Sequence, residues 1–195
     1  MQLKSIVVFC GSSEGNDPKI LEVAKDLGRI LANRKITLVY GAAKIGVMGK
    51  VAEGALQHKG EVIGIIPDFL KIKEVVHTGL SHLIVTGNMH ERKLKMHGVS
   101  DGAIALPGGY GTLEELFGMI TWAQLGLHQR PIGILNIDGF YGDLLAMLRK
   151  MVDQGFLKKE NYDMLLIDNS VDGLLRQMEG YKPLVLPKWI YKDQV

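Results

Sequence analysis

Residues 106–126, LPGGYGTLEELFGMITWAQLG, decide the fold. The apolar segment GAIALPGG predicts a strand that ends in glycines, and a helix is predicted over residues 112–125. A glycine loop between a strand and a helix is typical of a parallel α/β unit, where the helix N-terminus faces a bound anion. Yet Glu114 and Glu115 fall in the first helical turn, beside that anion. The loop therefore raises the question of why carboxylates lie next to an anion site.

Apolar runs and amphipathic segments alternate along the whole chain. Strands are predicted over SIVVF, ITLVYG, EVIGIIP, SHLIVTG, GAIALPGG, PIGILNI and MLLID. Helices are predicted over 17–34, 46–58, 88–99, 112–125, 141–154 and 171–180, with a less regular stretch at 68–79. Continuous apolar strands are covered on both faces. The pattern predicts an α/β fold: a Rossmann-like, doubly wound, mainly parallel sheet of about seven strands with helices on both faces, in one domain over 1–195 with a peripheral C-terminal arm at 183–195.

Ligands of such sheets bind beyond the carboxyl ends of the strands. That rule selects four loops: CGSSEG, YGAAKIGVMG, TGNMHERK and LPGGYGT. We expect strands four and five to be neighbours, so that Arg92 reaches the last of these loops. Its guanidinium can bind a phosphate, a sugar hydroxyl or a carboxylate, and Glu114 or Glu115 could be its partner. The alternative is that Arg92 and Lys93 belong to a solvated face.

The glycine loop is open to two interpretations. Backbone N–H groups there can approach a phosphate, but Thr112 with Glu115 also fits a capping box, in which the glycines only turn the chain. Two common nucleotide motifs do not fit. Residues 41–46 have the glycine spacing of a Walker loop, but Val47 and Met48 stand where Lys and Ser or Thr belong, and GYGTLE lacks the third glycine of a dinucleotide fingerprint.

The composition narrows the class of protein. With 23 basic and 21 acidic residues, the charge is too balanced to indicate a nucleic-acid or membrane-surface partner. No apolar run approaches the ~18 residues that span a bilayer. A single cysteine, Cys10, excludes an intrachain disulfide framework and favours a cytoplasmic location. His, Cys and carboxylate residues show no metal-binding spacing, so no metal or redox cofactor is expected.

Four motifs resemble one known family: CGSS at 10–13, MHERK at 89–93, PGGYGTLEE at 107–115 and ITWAQLG at 120–126. They are similar to the Lonely Guy (LOG) family of cytokinin riboside 5′-monophosphate phosphoribohydrolases, whose members have often been labelled lysine decarboxylases. The resemblance implies hydrolysis of the N-glycosidic bond of N6-modified AMP, or of AMP, to the free base and ribose 5-phosphate. It also implies a homodimer or larger homo-oligomer, without a cofactor.

The resemblance assigns catalysis to Arg92 and Glu115. Substrate binding is assigned to Ser13, Glu74, Met89, Lys93, Gly108, Gly109, Tyr110, Gly111, Thr112, Glu114 and Thr121. One departure concerns the loop after strand two, where Ala42 and Ala43 replace family glycines and could narrow the approach of the backbone to substrate. Two alternatives stay open: a non-catalytic nucleotide-binding protein, and a pyridoxal-phosphate decarboxylase, which would need a Schiff-base lysine.

Overall fold

The computed structural model describes residues 3–71 and 76–183, and these residues build around one parallel sheet. The strands are β1 Ser5–Phe9, β2 Thr37–Tyr40, β3 Val62–Pro67, β4 His82–Thr86, β5 Gly102–Ala105, β6 Ile132–Leu135 and β7 Leu165–Asp168. Their order is β4-β3-β2-β1-β5-β6-β7, and every neighbouring pair is parallel. The predicted doubly wound sheet of seven strands is confirmed.

The helices are α1 Pro18–Asn33, α2 Gly46–Gln57, α3 Asp68–Lys71, α4 Met89–Gly98, α5 Tyr110–Gln124, α6 Gly142–Asp153, α7 Lys159–Tyr162 and α8 Val171–Glu179. A 3₁₀ turn covers Ile137–Gly139. The short α3, α7 and the 3₁₀ turn were not predicted. In the described part of the chain, no helix combines the length and apolar character that crossing a membrane requires.

Each sheet face has its own hydrophobic core. Alternate residues of β1 point to opposite faces, as the two-residue period of a strand requires. Ile6 and Val8 pack with α1, α2 and α8, whereas Val7 and Phe9 pack with α4, α5 and α6. Because both faces are covered, the strands are apolar throughout, and this is why the sequence pattern identified them.

Local sequence explains where the first helix begins. The side chain of Asp17 accepts a hydrogen bond from the backbone N–H of Lys19 at 2.9 Å, and Pro18 is the first helical residue. The helix buries an apolar stripe of Ile20, Ala24, Leu27, Ile30 and Leu31.

The predicted pairing of strands four and five is wrong. β4 pairs with β3 at one edge of the sheet, and β5 pairs with β1 near its centre. The prediction assumed that successive strands are neighbours, but a doubly wound sheet reverses its winding direction once. Here the chain leaves β4 at one edge, crosses back over β3, β2 and β1, and forms β5 on the far side of β1. The reversal makes β1 and β5 the topological switch point, where such sheets bind ligands.

The start of α5 also differs from the prediction. The helix begins at Tyr110, two residues earlier than expected, with Gly109 as its N-cap and no side-chain cap. Thr112 is therefore inside the helix, and the proposed capping box of Thr112 with Glu115 is wrong. Of the predicted C-terminal arm, residues 184–195 lie outside the described residues.

His128 follows α5 and is buried, with fixed roles for both ring nitrogens. Nε2 lies 3.0 Å from the carbonyl oxygen of Met119, so Nε2 carries the hydrogen. Nδ1 accepts a hydrogen bond from the backbone N–H of Arg130 at 3.1 Å. The neutral ring satisfies both bonds, and the charged ring does not. Burial lowers the pKa of His128 from 6.5 to about 4.

The free energy of unfolding should therefore fall as the pH decreases from 6.5 to 4. In that window the unfolded chain binds a proton at His128 and the folded chain does not, so a contribution present above pH 6.5 is lost on acidification. The pKa difference corresponds to about 3 kcal/mol. Urea unfolding at several pH values should show a shallower loss in His128→Asn than in the unmodified protein. Parallel curves for the two proteins would contradict this assignment.

Candidate active site

The carboxyl ends of the central strands open into a cavity of about 580 Å³. All four loops selected from the sequence contribute to it, and two further loops supply Leu70 after β3 and Phe140 after β6. Its remaining lining consists of Cys10, Gly11, Ser12, Ser13, Glu14, Gly15, Ile20, Val47, Met48, Met89, Arg92, Pro107, Gly108, Gly109, Tyr110, Gly111, Thr112, Glu114 and Glu115. Sequence reasoning missed Leu70 and Phe140, although the strand-end rule applies equally to the loops after β3 and β6.

A buried ion pair forms part of the cavity wall. The Nη1 atom of Arg92 lies 2.9 Å from Oε1 of Glu115, and each side chain is only 10% exposed. The Nε–H of Arg92 also donates a hydrogen bond to the carbonyl oxygen of Ile65 at 3.1 Å. The sequence alternatives are thus resolved: Glu115, not Glu114, is the partner of Arg92, and Arg92 is not on a solvated face.

The lack of a side chain at Gly41, directly after β2, leaves room for the guanidinium of Arg92. A Cβ atom at this position would lie 2.5 Å from Nη2 of Arg92 and 2.9 Å from Sδ of Met48. The missing side chain therefore leaves the space that Arg92 occupies.

Two side chains, Asn88 and Glu91, cap the start of α4, the helix that carries Arg92. Asn88 is the N-cap of α4, and its Oδ1 accepts a hydrogen bond from the backbone N–H of Glu91 at 2.9 Å. The Glu91 carboxylate in turn accepts from the backbone N–H of Gly87 at 2.7 Å and from Nδ2 of Asn88 at 2.8 Å. These bonds fix the first turn of α4, and Arg92 follows directly after it.

The N-terminus of α5 is built for close approach by a ligand. Gly108 packs tightly, because a Cβ there would lie 2.1 Å from Oγ1 of Thr112 and 2.8 Å from the backbone nitrogen of Gly11. Among the described residues, Cβ atoms at Gly109 and Gly111 would meet no atom within 4 Å beyond their chain neighbours and the backbone of their own helix. The first N–H groups of a helix have no acceptor within the helix, and α5 has no side-chain cap. The end of the helix dipole adds positive potential, so the arrangement favours an anion.

The other residues predicted to bind substrate do not all line the described cavity. Ser13 and Met89 line the cavity. Lys93 forms an ion pair with Glu114, whose side chain is 54% exposed at the rim. Thr121 is exposed on α5 and is not among the described residues that line the cavity. Glu74 lies outside the described residues.

Cys10 lines the cavity but is poorly suited to be a nucleophile. Burial raises the pKa of its thiol, and the charge of Glu115 raises it further, while Arg92 lowers it. Because the thiolate is the reactive form, a thiol with a raised pKa is inert at neutral pH. Cys10 therefore acts as a small buried residue.

The alanines of the second loop do not narrow the cavity. Ala42 and Ala43 are fully buried, and neither is among the described lining residues. Ala42 adopts a φ of 68°, the left-handed conformation that glycine adopts without strain. Its Cβ lies 2.8 Å from where a Cβ on Gly64 would stand, so the methyl group points to β3. The alanines thus leave the described cavity wall unchanged.

The described lining holds no lysine, so it offers no amine for a Schiff base. Among residues 3–71 and 76–183, no three His, Cys, Asp or Glu side chains group closely enough to hold a metal ion. What the cavity does offer is an anion-binding helix end and, six residues along the same chain segment, a carboxylate held by a buried arginine. This combination suits a ligand with an anion at one end and a developing positive charge beside it.

Comparisons with known proteins agree with this arrangement. Residues 48–178 match a family model described as "Possible lysine decarboxylase". The chain is 44% identical over 183 residues to the cytokinin riboside 5′-monophosphate phosphoribohydrolase LOG7 of Arabidopsis thaliana, covering 93% of this chain and 84% of the relative. A probable enzyme of the same name from Oryza sativa subsp. japonica, LOGL9, is 43% identical, covering 94% and 81%.

A solved structure shares the architecture. The molybdenum cofactor binding protein of the phototrophic bacterium Rippkaea orientalis superposes with a TM-score of 0.70 at 27% identity, covering 92% of this chain and 98% of that one. Its 27% sequence identity to this chain is well below the 44% identity of the Arabidopsis enzyme. The chain therefore belongs to the Lonely Guy (LOG) family of cytokinin riboside 5′-monophosphate phosphoribohydrolases, to which the resemblance of its motifs had assigned it.

Proposed function

We propose that the protein hydrolyses the N-glycosidic bond of a nucleoside 5′-monophosphate, either AMP or AMP with an N6 substituent. The observation that carries the proposal is the buried pair of Arg92 and Glu115 beside the open N-terminus of α5. Relatives with more than 40% identity over most of this chain bear the name of that activity. The products are the free base and ribose 5-phosphate.

The carboxylate of Glu115 acts on the sugar rather than on the phosphate. As the bond between the base and C1′ of the ribose lengthens, positive charge develops on the ribosyl ring, as in glycoside hydrolysis generally. A carboxylate in a shielded cavity stabilises that charge, and it can also orient and deprotonate the attacking water. The water oxygen bonds to C1′, the base departs with the electron pair of the broken bond, and the proton lost by the water ends on the base nitrogen, so that the free base is released neutral.

Arg92 and the glycine loop position the reactants. Arg92 holds Glu115 in place through the 2.9 Å contact and is itself held by the carbonyl of Ile65. The N–H groups at the start of α5 would bind the 5′-phosphate, where Gly109 and Gly111 leave room for it. Binding energy from the unreactive phosphate then orients the bond that breaks.

A non-catalytic nucleotide-binding protein is the second candidate, since a protein of this fold is named for cofactor binding. That candidate predicts a thermal shift with AMP and no base release over hours. Decarboxylation is not proposed, because the described cavity lining lacks a lysine.

We also propose that the protein is a cytoplasmic homodimer or larger homo-oligomer. Support comes from Thr121, which the family resemblance assigns to substrate although it is exposed away from the described cavity lining. A second copy that completes that side of the site would account for its position.

Removing the charge of Glu115 should abolish most of the activity. Glu115→Gln is expected to lower kcat for base release from AMP or isopentenyl-AMP by about 10³-fold, the range for a catalytic carboxylate. Arg92→Lys, which loses the planar fork, should lower it by about 10- to 100-fold. Chromatography of the released base measures both.

Glu53→Gln is the matched control, because Glu53 pairs with Lys25 and Lys50 outside the described cavity lining. Circular dichroism should show all variants folded. Full activity in folded Glu115→Gln would overturn the assignment of Glu115.

Gly109 lies at the start of α5 with free space for a side chain, so it allows a separate test of the phosphate site. Gly109→Ala should raise KM for AMP about tenfold by crowding the phosphate, since one added methyl in a filled site costs about 1–3 kcal/mol. Its thermal stability should hardly change, because the new Cβ meets no protein atom within 4 Å. Gly98→Ala is the control, at an exposed glycine on α4 whose Cβ would be equally free. An unchanged KM in Gly109→Ala would place the phosphate elsewhere.

A further inference from the structure

The catalytic distance depends on how two helices pack. Arg92 projects from α4 and Glu115 from α5, and no main-chain hydrogen bond links them as in a sheet. Their 2.9 Å contact therefore requires α4 and α5 to keep one separation and one rotation.

A cluster of three aromatic rings joins the far ends of these helices. His97 in the last turn of α4 contacts Trp122 in the last turn of α5 edge to face, with ring centroids 5.1 Å apart at 77°. The ring of His97 also lies 4.8 Å from the ring of His128, at 59°. We call His97, Trp122 and His128 the aromatic clamp.

Hydrogen bonds hold the clamp to both helices. His128 is fixed to α5 through the carbonyl of Met119, at 3.0 Å. Arg130 donates from its backbone N–H to His128 and from its guanidinium to the carbonyl oxygen of His97. The turn after α5 is thus bonded to the last turn of α4.

The clamp and the catalytic pair share one helix face. Seven residues separate Glu115 from Trp122, which is nearly two full turns, so both project from the same side of α5 about 10 Å apart. A small cavity of about 50 Å³ lies between them, and both Glu115 and Trp122 line it together with His97, Lys93 and Met96. The space beside Glu115 is therefore incompletely filled, and the ring contacts of the clamp give the helix pair a second point of attachment.

We propose that the aromatic clamp is a positioning device that sets the Arg92–Glu115 contact by holding α4 and α5 at a second point. This inference rests on the proposed hydrolytic function, because it concerns the rate at the same site. None of the three rings lines the large cavity among the described residues, so the clamp acts on turnover rather than on nucleotide binding.

Truncating the indole ring of Trp122 should separate the effect on turnover from any effect on nucleotide binding. Trp122→Ala is expected to lower kcat at least tenfold while KM for AMP stays within about twofold, because the phosphate site is intact. Trp122→Phe, which keeps a ring against His97, should restore kcat to within about threefold of the unmodified protein. His97→Leu, which keeps bulk without the ring contacts, should lower kcat in the same way and decides the question if Trp122→Ala does not fold.

Leu148→Ala is the matched control, since Leu148 is buried on α6 on the same sheet face but is not part of the clamp. It should lower thermal stability comparably and leave kcat within about twofold. An equal loss of kcat in Leu148→Ala, or unchanged kcat in a folded clamp variant, would overturn the proposal.

A double-mutant cycle tests whether Trp122 affects kcat through the contact of Arg92 with Glu115. In an Arg92→Lys background, Trp122→Ala should lower kcat much less than in the unmodified protein, because the contact it positions is already altered. Additive losses would contradict the proposal. If the unmodified protein releases no base from any nucleoside monophosphate, the proposed function fails; if it does so and the clamp variants match it, only the clamp fails.

Discussion

The contact between Arg92 and Glu115 is the constraint on which the site depends. Both side chains are 10% exposed, and burying two charges costs several kcal/mol per ion before their attraction offsets it. Such a pair adds little to stability and is costly to break. The proposed reaction gives a reason for its presence, because a carboxylate acts far more strongly on a nearby cation inside a cavity than in water. The room that Gly41 leaves and the carbonyl of Ile65 both serve to accommodate the arginine.

The sheet topology brings the members of the pair together from distant parts of the chain. Because the winding reverses between β1 and β5, the two halves of the sheet splay their loops apart at that point and leave the cavity between them. α4 returns from the sheet edge and carries Arg92 over the end of β3, while α5 starts beside β1 and carries Glu115. The start of α5 at Tyr110 and the carboxylate of Glu115 lie within six residues of one segment. Under the proposed function this spacing explains why glutamates follow a phosphate loop, because the phosphate and the ribose of one nucleotide would occupy neighbouring parts of the cavity.

Much of this could be predicted from the sequence, for identifiable reasons. Buried strands and the amphipathic helix over 17–34 are local signals, so their positions were predicted correctly. The pairing of strands is not local, and the expected neighbours β4 and β5 have three strands, β3, β2 and β1, between them. Arg92 nevertheless reached Glu115, by the return of α4 rather than by adjacent strands. The capping box was placed on α5 because Thr112 and Glu115 have its spacing, but it is α4 whose start is capped by side chains, with Asn88 bonding the backbone N–H of Glu91 and Glu91 bonding that of Gly87. Phe140 was missed because an isolated aromatic after β6 has no pattern of its own.

Attack of water on C1′ of a nucleoside monophosphate in this cavity can be followed with an oxygen isotope. The protein is incubated with AMP or isopentenyl-AMP in water enriched in ¹⁸O, the sugar is reduced at once to retain its C1 label, and both products are analysed by mass spectrometry. The expected result is unlabelled free base and ribose 5-phosphate that carries one ¹⁸O atom at C1. Nucleotide that remains intact after hours, or ¹⁸O found in released phosphate instead of on the sugar, would contradict it.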